Sequence, residues 1–194
     1  LAWNRPLEGL FARHIAIDEN DHIFVESLGQ IRQYDENGQL VFQGLLPPLM
    51  VSRMQLWDGK FAVLVHPFEE NPRVKLQLYE DPVRSAAERT LTYELPLPIA
   101  ADFSVEHARS RIFVVNSRAD RIEVYRDGQS HTWWGSRGKK QGEFSFSGQA
   151  AVIDDLESGR LLEREVVAGG ITRDVSGSVY VADTFNNRIQ KFWP

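Results

Sequence analysis

Residues 169 to 193 read GGITRDVSGSVYVADTFNNRIQKFW, and this stretch decides the fold. Ile171 to Asp174 form an apolar-polar run, and Ser176-Gly177-Ser178 supply a hairpin turn. Val179 to Asp183 then alternate with the period of two expected of a half-buried strand. Phe185-Asn186-Asn187 is a second turn, since asparagine tolerates left-handed backbone angles, and Arg188 to Phe192 resume the alternation. The spacing predicts three short antiparallel strands joined in a meander.

The same grammar returns upstream. Ile15 to Asp18, Ile23 to Val25, Ile31 to Tyr34 and Leu40 to Phe42 read as four strands, with Asn37-Gly38 turning the last hairpin. A less regular unit runs through Met54 to Leu56, Phe61 to Val65, Arg73 to Tyr79 and Leu91 to Leu95. Here Asp58-Gly59 marks a turn, Pro67 and Pro72 bound a longer loop, and Asp81 to Arg89 form a polar connection with room for a helical turn. The third unit comprises Phe103 to Val105, Ile112 to Val115, Arg121 to Tyr125 and Thr132 to Trp134, with a turn at Asp127-Gly128. Three of the four units open their third strand with Arg before a β-branched residue (Arg73, Arg121, Arg188), Gln30 standing in the first. The separations of these positions are 43, 48 and 67 residues. The first two suit one four-stranded propeller blade of about 40 to 50 residues, and the third is too long by about 20. The excess is an insertion at about 145 to 169, SFSGQAAVIDDLESGRLLEREVVAG, where a hairpin about Glu157-Ser158-Gly159 is favoured over a short helix.

The string Tyr-Val-Ala-Asp-Thr-x-Asn-Asn-Arg-Ile-Gln, Tyr180 to Gln190, resembles the signature of the NHL repeat, the blade module of a family of β-propellers. The resemblance implies an all-β fold of four-stranded antiparallel blades, about four of them in a single domain over residues 1–194. NHL propellers generally have six blades, so the chain is expected either to close as a four-bladed ring or to be an arc of a larger one. Leu1 to Phe11 and Trp133 to Phe144 share a Trp, Arg, Gly-x-Phe order that in this family links one blade to the next. Leu1 to Trp3 would then pair with Arg188 to Trp193 if the ring closes. Leu1 in place of Met leads us to expect a processed or excised chain, with a signal peptide or further blades once preceding it. The chain itself does not indicate a compartment; a removed signal peptide would make it extracytoplasmic.

Composition narrows the function. With 194 residues, 42% hydrophobic and 25% charged, the chain is long enough to bury a core. Its 22 Lys plus Arg against 27 Asp plus Glu give a formal charge of -5, which disfavours nucleic acid as a partner. No cysteine is present, which removes disulfides and thiolate metal sites. No apolar run approaches the roughly 20 residues of a membrane span.

Candidate sites are few. His14 precedes an innermost strand, and its repeat counterparts are about Arg53, Asp102 and Gly170, so His14, Arg53 and Asp102 are candidates for one mouth of a central channel. Peptidyl-hydroxyglycine lyases resemble this fold and carry zinc-binding histidines at such positions. Only His14 matches that pattern, and one imidazole cannot supply the three protein ligands typical of catalytic zinc, so neither a metal nor any other cofactor is expected. Asp183 with Arg188, and Asn116 with Arg121, recur with the repeat and are expected to tie second and third strands together. Trp133-Trp134 must place one indole inward and one outward, and Arg137, Lys139 and Lys140 follow, a surface binding candidate of the kind that binds RNA in some NHL domains. No phosphate loop, nucleophile elbow or zinc-protease motif occurs, and no residue is assigned a catalytic role. The leading expectation is a non-catalytic scaffold that binds a protein partner or small ligand. A lyase or hydrolase at the channel mouth is the alternative, and RNA binding on a local basic face a second one.

Overall fold

A computed structural model of the chain describes residues 12–18, 20–27, 30–45, 50–57, 60–66, 74–79, 89–95, 99–106, 109–155 and 160–193. The chain divides into two compact units, Leu1–Pro98 and Ile99–Pro194. Among the described residues the regular structure is strand, apart from short 3-10 turns, and no helix is long and apolar enough to cross a membrane.

The first unit holds two antiparallel meanders. β1 (His14–Ile17), β2 (Ile23–Ser27), β3 (Gln30–Tyr34) and β4 (Leu40–Leu45) lie in sequence order in one sheet, and β5 (Met50–Trp57), β6 (Lys60–His66), β7 (Lys75–Tyr79) and β8 (Arg89–Glu94) in another. β1 runs against β5, so the first strands of the two sheets are neighbours. Phe24 and Ile31 of one sheet join Met54, Val63 and Val65 of the other in a shared core. Turn chemistry fixes the hairpins: the Asp18 carboxylate accepts the Asn20 and His22 N–H groups, and the Asp35 carboxylate accepts those of Asn37 and Gln39. The expected turn at Asp58-Gly59, the loop after His66 and the connection after Tyr79 lie outside the described residues. So do Arg73, Leu1 to Trp3 and their expected pairing.

The second unit repeats the plan. β9 (Phe103–Glu106), β10 (Arg111–Asn116), β11 (Arg121–Arg126) and β12 (Gln129–Trp134) form a four-stranded meander. Asp127 and Gly128 both have positive φ (49° and 76°), the left-handed pair that an Asp-Gly hairpin turn requires. β13 (Ser147–Asp155) and β14 (Arg160–Val167) pair with each other as a hairpin, and the helical alternative does not occur. β15 (Gly170–Arg173), β16 (Val179–Asp183) and β17 (Arg188–Phe192) form the last, three-stranded sheet. The 3-10 turn Thr184–Asn186 joins its last two strands, with Asn187 left-handed at φ 53° as an asparagine there allows. Between the two sheets Phe113, Val115, Ile122 and Val124 meet Ile171, Val179 and Val181, and Phe144 and Phe146 stack between them with ring centroids 4.9 Å apart. Burying each of these side chains contributes roughly 1.5–3 kcal/mol.

Candidate functional site

The repeat signature is consumed in holding the second unit together. Asp183, fully buried at the end of β16, accepts Arg188 Nε at 2.7 Å, Gln190 Nε2 at 3.1 Å, Asn186 Nδ2, and the backbone N–H of Ser145 at 2.7 Å. Arg188 then donates its terminal nitrogens to the carbonyls of Lys139, Lys140 and Glu143. Burial pulls the Asp183 carboxyl up, but the hydrogen bonds from Asn186, Ser145 and Arg188 outweigh it and hold the group below the usual carboxylate range. The signature thus clamps the linking string that follows β12 onto the last sheet, beyond tying strands two and three of one blade.

The third sheet carries a related set with one correction to the expectation from sequence. Asn116 bonds the turn N–H of Ala119, but Arg121 is held by Glu123, at 2.7 Å, while Asn116 Nδ2 donates to the same carboxylate at 3.0 Å. Sequence alignment pointed at the wrong partner because Glu123 lies two residues beyond the arginine on the same strand.

The hairpin insertion is rooted in this clamp. Ser145 donates to Asp183 and accepts from the Phe185 N–H at 3.1 Å; Phe146 donates to Asp120 at 2.6 Å and accepts from Ala168. Gly148 lets the hairpin pass the Phe185 ring, since a Cβ there would lie 2.5 Å from it.

The proposed channel-mouth residues separate by role. His14 and Arg53 sit on β1 and β5 of the first unit, His14 half-buried with Nε2 3.8 Å from the Glu26 carboxylate, and Arg53 exposed. Asp102 belongs to the second unit, where it is buried. One of its oxygens accepts the Phe103 N–H and the other the Ile171 N–H at 2.9 Å, so the carboxylate joins the starts of β9 and β15. On the surface, Trp133 points outward, 55% exposed, with the Arg121 guanidinium 4.6 Å over its ring. Trp134 turns inward against Phe113 and Phe192. Arg137 is exposed, 3.8 Å from Asp120, and Lys139 and Lys140 are exposed beside it.

Sequence reading missed a further cluster. Glu106 of β9 pairs with Arg111 of β10, its cross-strand partner, and with Arg173 of β15 at 2.9 Å. The Arg111 hydrogen bond holds the Glu106 carboxyl down against burial, with the charge of Arg173 assisting. Both guanidiniums lie 5.4 Å from the Phe113 ring. Arg111 and Phe113 also line a pocket of about 320 Å³ between the sheets. Arg111 and Arg173 are 62 positions apart in the chain, and the packing of β15 against β9 and β10 unites them. Among the described residues no group of three or more His, Asp or Glu side chains is arranged to hold a metal ion.

Comparison with known proteins agrees at the level of fold. No family model matches the chain, and no curated protein matches it in sequence. Among solved structures, glutaminyl cyclase from Myxococcus xanthus superposes with a TM-score of 0.59 at 12% identity, over 97% of this chain and 75% of that one. A streptogramin B lyase gives 0.49 at 13% identity, over 97% of this chain and 67% of that one. The chain has a β-propeller fold, contributing four blades of antiparallel strands. That fold serves enzymes as well as scaffolds, so it does not choose between them.

Proposed function

We propose that residues 1–194 are one propeller domain of NHL type that binds a protein partner, with the hairpin insertion at about 145–169 as its recognition element. The observation that carries this reading is the hairpin itself: β13 and β14 pair only with each other among the described residues, on a base fixed by Asp120 and Asp183. A firmly rooted hairpin whose edges meet no other strand among the described residues is suited to adding a partner's strand. The non-catalytic part rests on the carboxylates. Asp102, Asp183 and Glu106 accept from backbone N–H groups, side-chain amides or arginines, as structural groups do. A carboxylate site formed by His14, Arg53 and Asp102 has less in its favour for the same reason. RNA binding at Trp133, Arg137, Lys139 and Lys140 is opposed by the net charge of -5.

The test is affinity capture with the intact chain and with one lacking Gln149 to Val166, both showing the same melting transition. Loss of a specifically recovered partner is expected, and equal recovery refutes the assignment of the hairpin. Metal analysis of protein purified without chelators addresses the catalytic reading separately, since a stoichiometric transition metal would overturn the scaffold assignment.

A further inference from the structure

The pocket between the third and fourth blades has a chemistry that the hairpin does not explain. Its walls are apolar, from Phe113, Val124, Val179 and Phe192, and its volume of about 320 Å³ falls at the lower end of ordinary ligand cavities. Trp134 closes this lining with its indole, held edge-on between Phe113 and Phe192 at 6.0 and 5.8 Å, while the indole N–H itself is buried away from the pocket surface. The polar feature of the lining is the arginine. Arg111 contributes a guanidinium that bonds Glu106 through Nε.

The charge around that arginine is unbalanced. Glu106 is shared between Arg111 and Arg173, so the trio keeps a net positive charge, and Arg126 stands directly opposite Arg111 in the β10–β11 register. Trp193 adds an exposed indole to the lining, with the Lys191 ammonium 4.0 Å over its ring. An apolar slot lined by aromatic rings, with an arginine in its wall and an excess of cationic charge, matches a molecule with an apolar body and an anionic, hydrogen-bond-accepting head.

We propose that this pocket binds a small aryl- or branched-alkyl monocarboxylate, its ring or chain against the apolar wall of Phe113, Trp134, Val179 and Phe192 and its carboxylate on the Arg111 guanidinium. The site belongs wholly to the second unit and is independent of the hairpin, so it stands or falls apart from the protein-partner reading.

Isothermal titration of the intact chain with 3-phenylpropionate and indole-3-acetate tests it. One saturable site is expected, and 3-phenylpropanamide, which keeps the shape and loses the charge, should bind about tenfold more weakly or worse. Thr132→Trp, a substitution at an exposed residue of the lining, should fill the slot and abolish binding while the melting transition is kept. Arg111→Lys, which keeps a cation for Glu106, should bind the acids more weakly than the native chain does while still preferring acid to amide. The proposal is overturned if neither acid shows saturable binding at millimolar concentration, if acid and amide bind alike, or if a folded Thr132→Trp chain binds as the native one does.

Discussion

The third and fourth blades solve one problem with the same three groups in exchanged places. At the end of the second strand the third blade has Asn116 and the fourth Asp183; each faces an arginine in register, Arg121 or Arg188; two residues later stand Glu123 and Gln190. Acid and amide have traded positions. In both blades the arginine Nε reaches the carboxylate at 2.7 Å and the amide donates to that same carboxylate, at 3.0 Å in one blade and 3.1 Å in the other. The consequences differ with the position of the charge. With its acid at 183, the fourth blade leaves Arg188 free to reach three carbonyls of the preceding linking string, and Asp183 also accepts Ser145. With its acid at 123, the third blade has its arginine lying over Trp133. The requirement of the repeat is one carboxylate beneath one arginine, and which strand supplies it decides what the arginine can then hold.

The largest expected effect breaks the fourth-blade set. Asp183→Ala removes the acceptor of two side chains, a guanidinium and a backbone N–H at a fully buried point. Arg188, 29% exposed, keeps its three carbonyl acceptors, but each buried donor left without this shared carboxylate costs roughly 1–3 kcal/mol, so the summed loss should exceed that of removing a single bond. Asn116→Ala removes a neutral group and leaves Arg121 on Glu123, so a loss of roughly 1–3 kcal/mol is expected. Urea unfolding of both variants checks the order, and equal losses would show that the clamp on the linking string adds nothing.

A transplant sharpens the comparison. Asp183→Asn leaves Arg188 without a carboxylate, and Gln190→Glu alone sets a second carboxylate beside Asp183. Together they copy the third blade. A double-mutant cycle should show favourable coupling of about 1–2 kcal/mol, within the usual range for directly bonded neighbours. Recovery will be partial, because a carboxylate at 190 loses the bond that Gln190 donates to the Glu143 carbonyl. Additive losses would mean that the two arrangements are not interchangeable.

The strands and most described turns of this architecture were legible because alternation and Gly, Asn and Asp punctuation are local signals, as Asp127-Gly128 and Asn187 show. Asp183 was recognisable as structural because it recurs. Glu123 was not, since its alternation with Arg121 marks both as one face of a strand without naming the bond between them. The Glu106, Arg111 and Arg173 cluster was invisible for a stronger reason: its third member arrives from another blade after the insertion. Asp102 was placed at a channel mouth by alignment, but no sequence pattern reveals that both its oxygens serve backbone N–H groups.

Acid exposes the same carboxylates in a graded way. Asp183 lies below its ordinary value of 3.8, where hydrogen bonds outweigh burial. Asp174 is held at about 2, chiefly by Ser176, and by Tyr180 and the turn N–H groups. A carboxyl lowered by folding contributes stability that is whole above its unfolded value and is lost as pH falls through the folded one. Stability should therefore decline as pH drops below 3.8 towards the lowered values. Asp183→Asn should flatten part of that decline, and Asp174→Asn another part. Denaturant midpoints measured across the range read this out, and unchanged slopes in both variants would refute it.

The smallest expected effect concerns Trp133, where the third blade's arrangement meets solvent. The indole is 55% exposed, and the guanidinium over it is already fixed through Nε to Glu123. Trp133→Ala therefore removes an exposed cation–π contact and little packing, a change of about 0.5–1 kcal/mol. Trp134, one residue on, faces the core and Phe113, and its truncation should cost several times more. Thermal melts of the two alanine variants give the ratio directly. A loss at Trp133 as large as that at Trp134 would mean that the outer indole is part of the blade's packing, and Arg121 would then be held by its aromatic neighbour as much as by its carboxylate. A small loss leaves Trp133 available as surface, set upright by an arginine whose position the Glu123 carboxylate fixes.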